Sequence, residues 1–338
     1  MSREMWSTLC VCAGLLLSLL APALGAPPAP CTNRRPPATS RRFVSTAVDS
    51  FVASLAADLR AAGNTALACV FENSFPNTLD TTVLRGTTSS FIITGDIPAM
   101  WLRDSTNQVL PYFRFVRQDP ALRALLAGLV TTQAAQILAD PWANAHYLPD
   151  VLADSPNAGD STTYPGFGPS RTDAMVPGIY ERKYELDSLC AFLKLSRTYY
   201  NATGDASPFT RTDAGTGENI WLEAVSAALT VMRTMQSSSA EEEVKPGGPT
   251  YQFQRTASEP TDSLLHGTGF PGARTGMIRS AFRPSDDATR MPFLVPANAM
   301  AVVELRAIAK VLNETANAGT FKARARGLAS GAMSLAEE

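Results

Sequence analysis

Apolar residues recur at helical spacing in seven segments of this 338-residue chain, which limits the fold more than any other feature. The first segment runs from Phe43 to a closing Gly63. The others cover residues 105–116, 121–138, 181–201, 219–236, 297–313 and 320–336. Only a short run, Phe91 to Thr94, has β character, without sustained strand alternation or a βαβ rhythm around it. The sequence therefore predicts a mostly α-helical protein.

Two long segments lack helical periodicity, residues 139–180 and 237–296, and both are rich in Pro, Gly, Ser and Asp. Loops of this length are uncommon in compact domains unless they have a function. We therefore expect functional residues on loops that a helical scaffold supports. Within the second segment, residues 237–249 are interpreted as a solvated excursion without a role.

The N-terminus has the features of a secretion signal in residues 1–25: an early arginine, an apolar run, and small residues before the cleavage point. An uncleaved signal anchor is the alternative, but Pro22 favours cleavage. Residues 26–42 are rich in Pro and Arg and predict a flexible leader. We expect the mature chain to be secreted or to stay in the lumen of the secretory pathway, without a membrane attachment.

Two N-glycosylation sequons, at Asn201 and Asn313, agree with passage through a secretory pathway. The mature chain would keep Cys31, Cys69 and Cys190. An oxidising compartment permits one disulfide among these three residues, and the sequence leaves the pairing open.

Charge and composition exclude some classes of protein. The 29 Lys and Arg residues against 31 Asp and Glu give a net charge of −2, which predicts no nucleic-acid partner. A zinc site needs three or four ligands, whereas the only histidines, His146 and His266, lie far apart in sequence. No EF-hand spacing is present either. We therefore predict no metal and no other cofactor.

The first stretch with chemical interest is ITGDIPAMWLRDSTNQ, residues 93–108. In a structural interpretation, Asp104 caps a helix that begins at Ser105 and Asp96 closes a turn. In a functional interpretation, Trp101 and Arg103 beside these carboxylates suit a sugar, which has apolar faces and hydroxyl groups that need paired donors and acceptors. Chemistry alone leaves both interpretations open.

The second stretch is VPGIYERKYELDSLCAFLK, residues 176–194, where the leucines and Cys190 predict a core-facing helical stripe. At helical spacing, Tyr180, Tyr184 and Asp187 share another face, while Glu185 points away from Asp187. Shielding by two tyrosines would raise the pKa of Asp187, as a general acid requires, although the helix N-terminus favours the carboxylate.

The alternative for this stretch is a solvated face on which charged residues form surface pairs, and spacing alone favours it. The residues concerned are Glu181, Arg182, Lys183 and Glu185.

The third stretch, SAFRPSDDATRMPFLVPANAMAVVEL, covers residues 280–305. Residues 284–287 predict a turn or a helix start. Alternatively, Arg283 and Asp286 hold a polyhydroxylated ligand by bidentate contacts. All three stretches place an aspartate with an arginine and an aromatic residue where a loop meets a helix.

Three blocks within these stretches resemble glycoside hydrolase family 125: GDIPAMWLRDSTNQVLPY, YERKYELDSLC and SAFRPSDDAT…PFLVPANAMAVVEL. The resemblance extends from about Phe43 to the C-terminus. It implies an all-α (α/α)6 barrel with its active site in the loops at one end. It also implies a metal-independent, inverting exo-α-mannosidase that removes α-1,6-linked mannose from an oligosaccharide such as mannan or an N-glycan.

The resemblance also implies roles for individual residues. It makes Asp187 the general acid. Four residues are expected to hold the terminal mannose: Arg103, Asp104, Arg283 and Asp286. Four others are further candidates for substrate binding: Trp101, Asp96, Glu185 and Asp287.

One departure from the family concerns the general base, a glutamate in a block of the form Tyr-Glu-x-Asp-Gly, which this chain does not contain. The sequence also predicts only seven helical segments, whereas a complete barrel of this kind has twelve helices. Residues 43–338 are therefore expected to be an incomplete barrel domain that lacks its C-terminal helices, with weak or no activity. A non-catalytic mannose-binding protein and an (α/α)6-barrel glycosidase for another sugar are the alternatives.

Overall fold

A computed structural model describes part of the chain, namely residues 31–95, 97–147, 160–161, 163–164, 168–169, 177–255, 259–315 and 321–338. The predicted signal peptide, the first five leader residues and Asp96 lie outside the described residues.

Most of the described chain is helical. The α-helices are α1 (Thr46–Ala61), α2 (Thr65–Ser74), α3 (Leu102–Val109), α4 (Pro120–Ala139), α5 (Leu186–Thr203), α6 (Ile220–Gln236), α7 (Ser239–Glu243), α8 (Val295–Thr315) and α9 (Lys322–Glu337). The strands are β1 (Val83–Arg85), β2 (Ser90–Ile92), β3 (Ala99–Trp101), β4 (Ala145–Tyr147), β5 (Asp160–Ser161), β6 (Thr163–Tyr164), β7 (Gly168–Pro169), β8 (Ile179–Glu181) and β9 (Gln254–Arg255). The prediction of a mostly α-helical protein is confirmed.

The predicted helix bounds agree best with the structure where the apolar pattern repeats over many residues. Helices α1, α4, α6, α8 and α9 lie within a few residues of their predicted bounds. Helix α2 was not predicted. Helix α5 begins at Leu186 rather than at residue 181, because residues 179–181 pair as a strand. This shift changes which side chains of the second stretch lie together.

Helix-on-helix packing forms the core: α9 packs on α8, α8 on α5, α5 on α3, and α6 on α4. In α4, for example, Leu122, Leu125, Leu126 and Leu129 are all fully buried. Within the described residues, α4 is also the only helix long and apolar enough to cross a membrane. Because the leucines of α4 are buried, packing in the protein core explains its apolar composition. The architecture is of the α/α type, and a ring of six helix pairs stays a prediction.

A three-stranded antiparallel sheet in the order β3-β4-β8 interrupts this helical packing. Trp101 of β3 pairs with Ala145 of β4, and Ala145 pairs with Glu181 of β8. The strands are only three residues long, too short for a clear alternation of apolar and polar residues. Their pairing brings the first two stretches side by side.

Residues 31–42 are attached to the domain, although the sequence assigned them to a flexible leader. A disulfide joins Cys31 to Cys69, which settles the pairing that the sequence left open. Arg35 also donates from Nε to Oδ2 of the buried Asp80 at 2.6 Å.

Part of the segment 237–249 is also packed rather than solvated. Ser238 begins α7 with a capping box that it forms with Glu241. The following residue, Glu242, is buried and accepts a hydrogen bond from the Thr250 amide at 3.0 Å.

Candidate active site

Helices α3 and α5 both begin directly beyond the three-stranded sheet. Helix α3 follows β3 without a loop, because Trp101 is both the last strand residue and the N-cap residue. Helix α5 follows β8 after a four-residue segment without regular structure that ends at its N-cap, Glu185. Since β3 and β8 both pair with β4, the first turns of the two helices lie close together.

Arg103, in the first turn of α3, joins the acidic residues of both helices. Its Nη1 lies 2.5 Å from Oε2 of Glu185 and 3.4 Å from Oδ2 of Asp187. Its Nη2 lies 3.2 Å from Oδ2 of the neighbouring Asp104. One guanidinium therefore contacts three carboxyl groups from two of the predicted stretches.

The third stretch contributes Asp286 to the same group of charged residues. Below, this group is called the acidic cluster, and its members are Arg103, Asp104, Glu185, Asp187 and Asp286. Asp286 lies in a turn closed by a hydrogen bond from its own amide to the Arg283 carbonyl at 2.8 Å. Its carboxyl group interacts electrostatically with Arg103, and it and the Glu185 carboxyl are near enough to affect each other's pKa. Of two neighbouring carboxyl groups in a buried site, one keeps its proton because two adjacent negative charges repel.

Arg283 and Asp287, also predicted for this site, lie nearer the surface and pair with each other at 2.8 Å. The Arg283 side chain is 51% exposed, so its guanidinium is hydrated and is not part of the buried cluster. Arg283 and the Asp286 carboxyl therefore lie in different environments, and a joint bidentate grip on a ligand stays a prediction.

The predicted helical geometry around Asp187 is wrong, because residues 179–181 form strand β8 and helix α5 begins only at Leu186. Glu185, with φ of −122°, and Asp187 do not point apart but contact the same guanidinium. Tyr180 lies in β8, where its ring packs edge-on against Trp101 at 5.4 Å. Tyr184 packs instead against Trp142 at 5.3 Å. The two tyrosines therefore do not flank Asp187 on a shared helical face.

The interpretation of the second stretch as a solvated charged face is also wrong. Glu181, Arg182, Lys183 and Glu185 are each no more than 4% exposed. Arg182 donates from Nε to Asp140 at 2.5 Å, so its charge is neutralised inside the protein. Because buried charges are normally paired, these residues belong to the interior and not to a solvated face.

The proposed capping role of Asp104 is wrong as well. Helix α3 begins at Leu102, three residues before the predicted start, and Trp101 occupies the N-cap position. Asp104 lies in the first turn with a 44% exposed side chain, where the positive end of the helix dipole favours its charge. This position leaves its carboxylate accessible to a ligand.

Five buried polar atoms at the cluster lack a hydrogen-bond partner among the described residues. One is a donor, the indole Nε1 of Trp101, and four are carboxyl oxygens: Oδ2 of Asp104, Oε1 of Glu185, Oδ1 of Asp187 and Oδ1 of Asp286. An unmade hydrogen bond in a buried place costs about 1–3 kcal/mol. A hydroxylated ligand would supply the missing partners.

Burial raises the pKa of Asp187, and Arg103 opposes this shift without cancelling it. Burial likewise raises the pKa of Glu185 and of Asp286. For Arg103, burial would lower the pKa, but its acidic neighbours outweigh burial and raise it. The cluster therefore contains a permanent cation and carboxyl groups that hold protons more strongly than usual, which suits proton transfer.

Two residues that the sequence analysis did not identify, Asn144 and Tyr251, form hydrogen bonds with residues 181–184 next to the cluster. Asn144 donates from Nδ2 to Glu181 at 2.7 Å and accepts from the Lys183 amide at 3.1 Å. Tyr251 accepts from the Tyr184 amide at 2.9 Å and donates to the Arg182 carbonyl at 2.8 Å. Asn144 and Tyr251 lie in long loops without periodicity, so no sequence signal marked them.

In the described part of the chain, no group of three or more His, Cys, Asp or Glu side chains is arranged to hold a metal ion. His146 is fully buried, and burial lowers its pKa to about 3.

Comparison with known proteins gives the class of this fold and site. The family profile described as metal-independent α-mannosidase, glycoside hydrolase family 125, matches residues 64–337. The chain belongs to this family.

Two relatives show the extent of the match. A solved Streptococcus pneumoniae structure, described as a metal-independent α-mannosidase in a non-productive substrate complex with α-1,6-mannobiose, is 31% identical with a TM-score of 0.71. The match covers 88% of this chain and 63% of that chain. The Meiotically up-regulated gene 157 protein of Schizosaccharomyces pombe is 39% identical over 295 residues, which is 84% of this chain. This chain spans about half, 54%, of that relative's length.

Proposed function

We propose that the protein is a metal-independent exo-α-1,6-mannosidase that removes terminal mannose from an oligosaccharide and inverts the anomeric centre. The observation that supports this proposal most directly is the buried Asp187, with one oxygen on Arg103 and the other without a described partner. Family membership and the α-1,6-mannobiose in the related S. pneumoniae structure indicate the class of substrate.

In the proposed reaction, Asp187 is the general acid. Its raised pKa keeps the carboxyl protonated to higher pH than an ordinary aspartic acid. The proton passes to the glycosidic oxygen as the bond from that oxygen to the anomeric carbon breaks. A water molecule attacks the anomeric carbon from the opposite face and gives its own proton to a general base. We assign the base to no described residue.

Arg103 has two proposed roles. It holds Glu185 and Asp187 in place through Nη1, and it limits how far burial raises their pKa values. Asp104 and Asp286 would accept hydrogen bonds from the hydroxyl groups of the terminal mannose. Trp101 would offer its indole N–H to a hydroxyl or ring oxygen, since this donor has no described acceptor.

Mannose release from α-1,6-mannobiose tests the proposal, with α-1,2-mannobiose and the corresponding α-1,6-linked glucose disaccharide as comparisons. Because no described residue is assigned as the general base, we expect release to be slow and to come from the α-1,6-mannobiose alone. Release of glucose would instead support a glycosidase for another sugar. Calorimetric binding of mannobiose without any product after long incubation would support a mannose-binding protein.

We also propose that the protein passes through the secretory pathway. The Cys31–Cys69 disulfide supports this, because such bonds persist in oxidising compartments. Both sequon asparagines, Asn201 and Asn313, are exposed and could be glycosylated. Digestion of the expressed protein with an N-glycosidase should increase its electrophoretic mobility. Unchanged mobility would contradict glycosylation at either position.

A further inference from the structure

Lys183 is a buried cation behind the acidic cluster. Its side chain is 1% exposed, and three oxygen atoms surround its Nζ. They are Oε1 of Glu181 at 3.5 Å, Oδ1 of Asp262 at 3.3 Å and the main-chain carbonyl of Asp286 at 2.8 Å. Two of these oxygens, those of Asp262 and Asp286, accept hydrogen bonds from the ammonium, and Glu181 forms an ion pair with it.

The Asp286 carbonyl belongs to the turn that presents the Asp286 carboxyl to the cluster. Asp286 has φ of 66°, in the left-handed region that residues other than glycine seldom occupy. Such a conformation persists only where the surroundings enforce it. The shortest contact of Lys183 is to the carbonyl of this strained residue.

The same turn is held from a second direction. The Ala288 amide donates to the Thr261 carbonyl at 2.8 Å, next to the Asp262 that contacts Lys183. Lys183 therefore lies between the short helical turn Pro260–Asp262, strand β8 and the Asp286 turn. It joins three separate chain segments at the back of the site.

We infer that Lys183 is a positioning residue, whose ammonium holds the left-handed turn at Asp286 and thereby directs the Asp286 carboxyl toward Arg103 and Glu185. This inference rests on the proposed function only for its effect on catalysis. Its structural part, control of the turn, can be measured without substrate. Lys183 also lowers the pKa of Asp286 against the larger effect of burial, so its loss would leave that carboxyl harder to ionise.

The first experiment uses hydrogen exchange on the whole protein, comparing Lys183→Met with the unsubstituted chain. The turn protects the Arg283 and Asp286 amides, which donate to the Asp287 and Arg283 carbonyls at 2.9 and 2.8 Å. We expect exchange in residues 283–288 to become roughly tenfold faster, as for an opened local contact. Unchanged exchange there would overturn the inference.

Arg197→Met is the matched control for the loss of a buried ion pair. Arg197 donates from Nε to the buried Glu304 at 2.5 Å, between α5 and α8 and well along α5 from the cluster. We expect this variant to lose stability without faster exchange in residues 283–288. If it also accelerated exchange there, the effect of Lys183→Met would reflect general destabilisation and the inference would fail.

The second experiment is a double-mutant cycle of Lys183→Met with Asp286→Asn, measured as kcat/KM for α-1,6-mannobiose. We expect Lys183→Met alone to lower kcat/KM roughly ten- to hundredfold, as misplacement of a site residue does. Without the Asp286 carboxylate, Lys183→Met should have little further effect, because coupled residues are not additive. Additive losses would contradict control through Asp286.

If Lys183→Met does not fold, Asp262→Asn provides a second test of the inference. The Asp262 side chain is 36% exposed, so its replacement should be tolerated while it weakens the hold on Lys183. Exchange in residues 283–288 should rise less than in Lys183→Met, and no rise at all would count against the inference. If no variant or parent protein releases mannose but exchange changes as expected, the proposed function fails and the role of Lys183 in the turn stands.

Discussion

Arg103 and Glu185 are 82 positions apart in sequence, yet Nη1 of Arg103 lies 2.5 Å from Oε2 of Glu185. The contact joins the first turn of α3 to the N-cap of α5. Because Asp187 touches the same Nη1, this arginine positions the proposed general acid and offsets part of the increase in its pKa that burial causes.

Asp187→Asn should abolish hydrolysis and spare binding. The amide keeps the shape of the side chain but cannot protonate the leaving oxygen, so kcat should fall by about 10²–10⁴. Release of mannose from α-1,6-mannobiose measures kcat, and titration calorimetry measures binding.

Glu72→Gln is the matched control, because this glutamate pairs with Arg60 between α1 and α2 and should change kcat little. An Asp187→Asn protein that turned over at the parent rate would show that another group is the acid.

Asp104→Asn should move the basic limb of the pH profile of kcat/KM to lower pH. Activity that needs a protonated Asp187 is lost as the pH rises through the pKa of that group. Burial is the main reason that this pKa is raised, and the charge of Asp104 adds to the effect. Removing the charge therefore lowers the pKa of Asp187. The shift should be small and should shrink in high salt, because the Asp104 side chain is 44% exposed.

The control for that profile is again a surface carboxylate. Glu72→Gln should leave the basic limb unchanged, since this surface glutamate pairs with Arg60 between α1 and α2. A shift to higher pH in Asp104→Asn would contradict the electrostatic assignment.

Arg103→Met should destabilise the protein strongly at neutral pH and less in mild acid. Glu185 and Asp187 would then be buried without their cation, and breaking a buried pair costs about 3–5 kcal/mol. Arg103 opposes the burial that raises both pKa values, so both would rise further in the variant. Stability from a raised carboxyl pKa is present at low pH and lost as the pH rises through that pKa.

Urea unfolding at neutral and mildly acidic pH measures this difference. Arg283→Met removes an arginine that is 51% exposed and should cost little at either pH. An equal loss of stability at both pH values in Arg103→Met would show that packing rather than charge explains the effect.

The sequence predicted the bounds of the long helices more accurately than the arrangement of the site. Long amphipathic segments such as α6 were predicted almost to the residue, because their apolar period repeats over several turns. The start of α5 was misplaced because β8 is only three residues long and its identity depends on pairing with β4. Local spacing contains no information on such a pairing.

The same limit applies within the site. The motifs predicted Arg103, Asp187 and Asp286 as functional residues, and the structure brings these three together. The sequence could not predict that Lys183 and its charged neighbours are buried, because burial depends on loops distant in sequence. Arg283 was grouped with Asp286 by proximity in sequence, whereas the turn sends the two side chains to different environments.

Cys31→Ser should lower the stability of the domain, because the disulfide closes a loop with a sequence separation of 38 to Cys69. In the chain-entropy model a loop of this length contributes about 4 kcal/mol by restricting the unfolded chain. The free energy of unfolding, measured in urea with and without a reductant, gives the size of the effect. The reductant should lower the stability of the parent protein and leave Cys31→Ser unchanged.

Cys190→Ser is the control, since Cys190 is buried and free. It should lose some packing energy but keep the full response to the reductant. If the parent protein responded no more than Cys31→Ser does, the disulfide would make no contribution to stability. In that case the hydrogen bonds of Arg35 to Asp80 would hold residues 31–42 on the domain without covalent help.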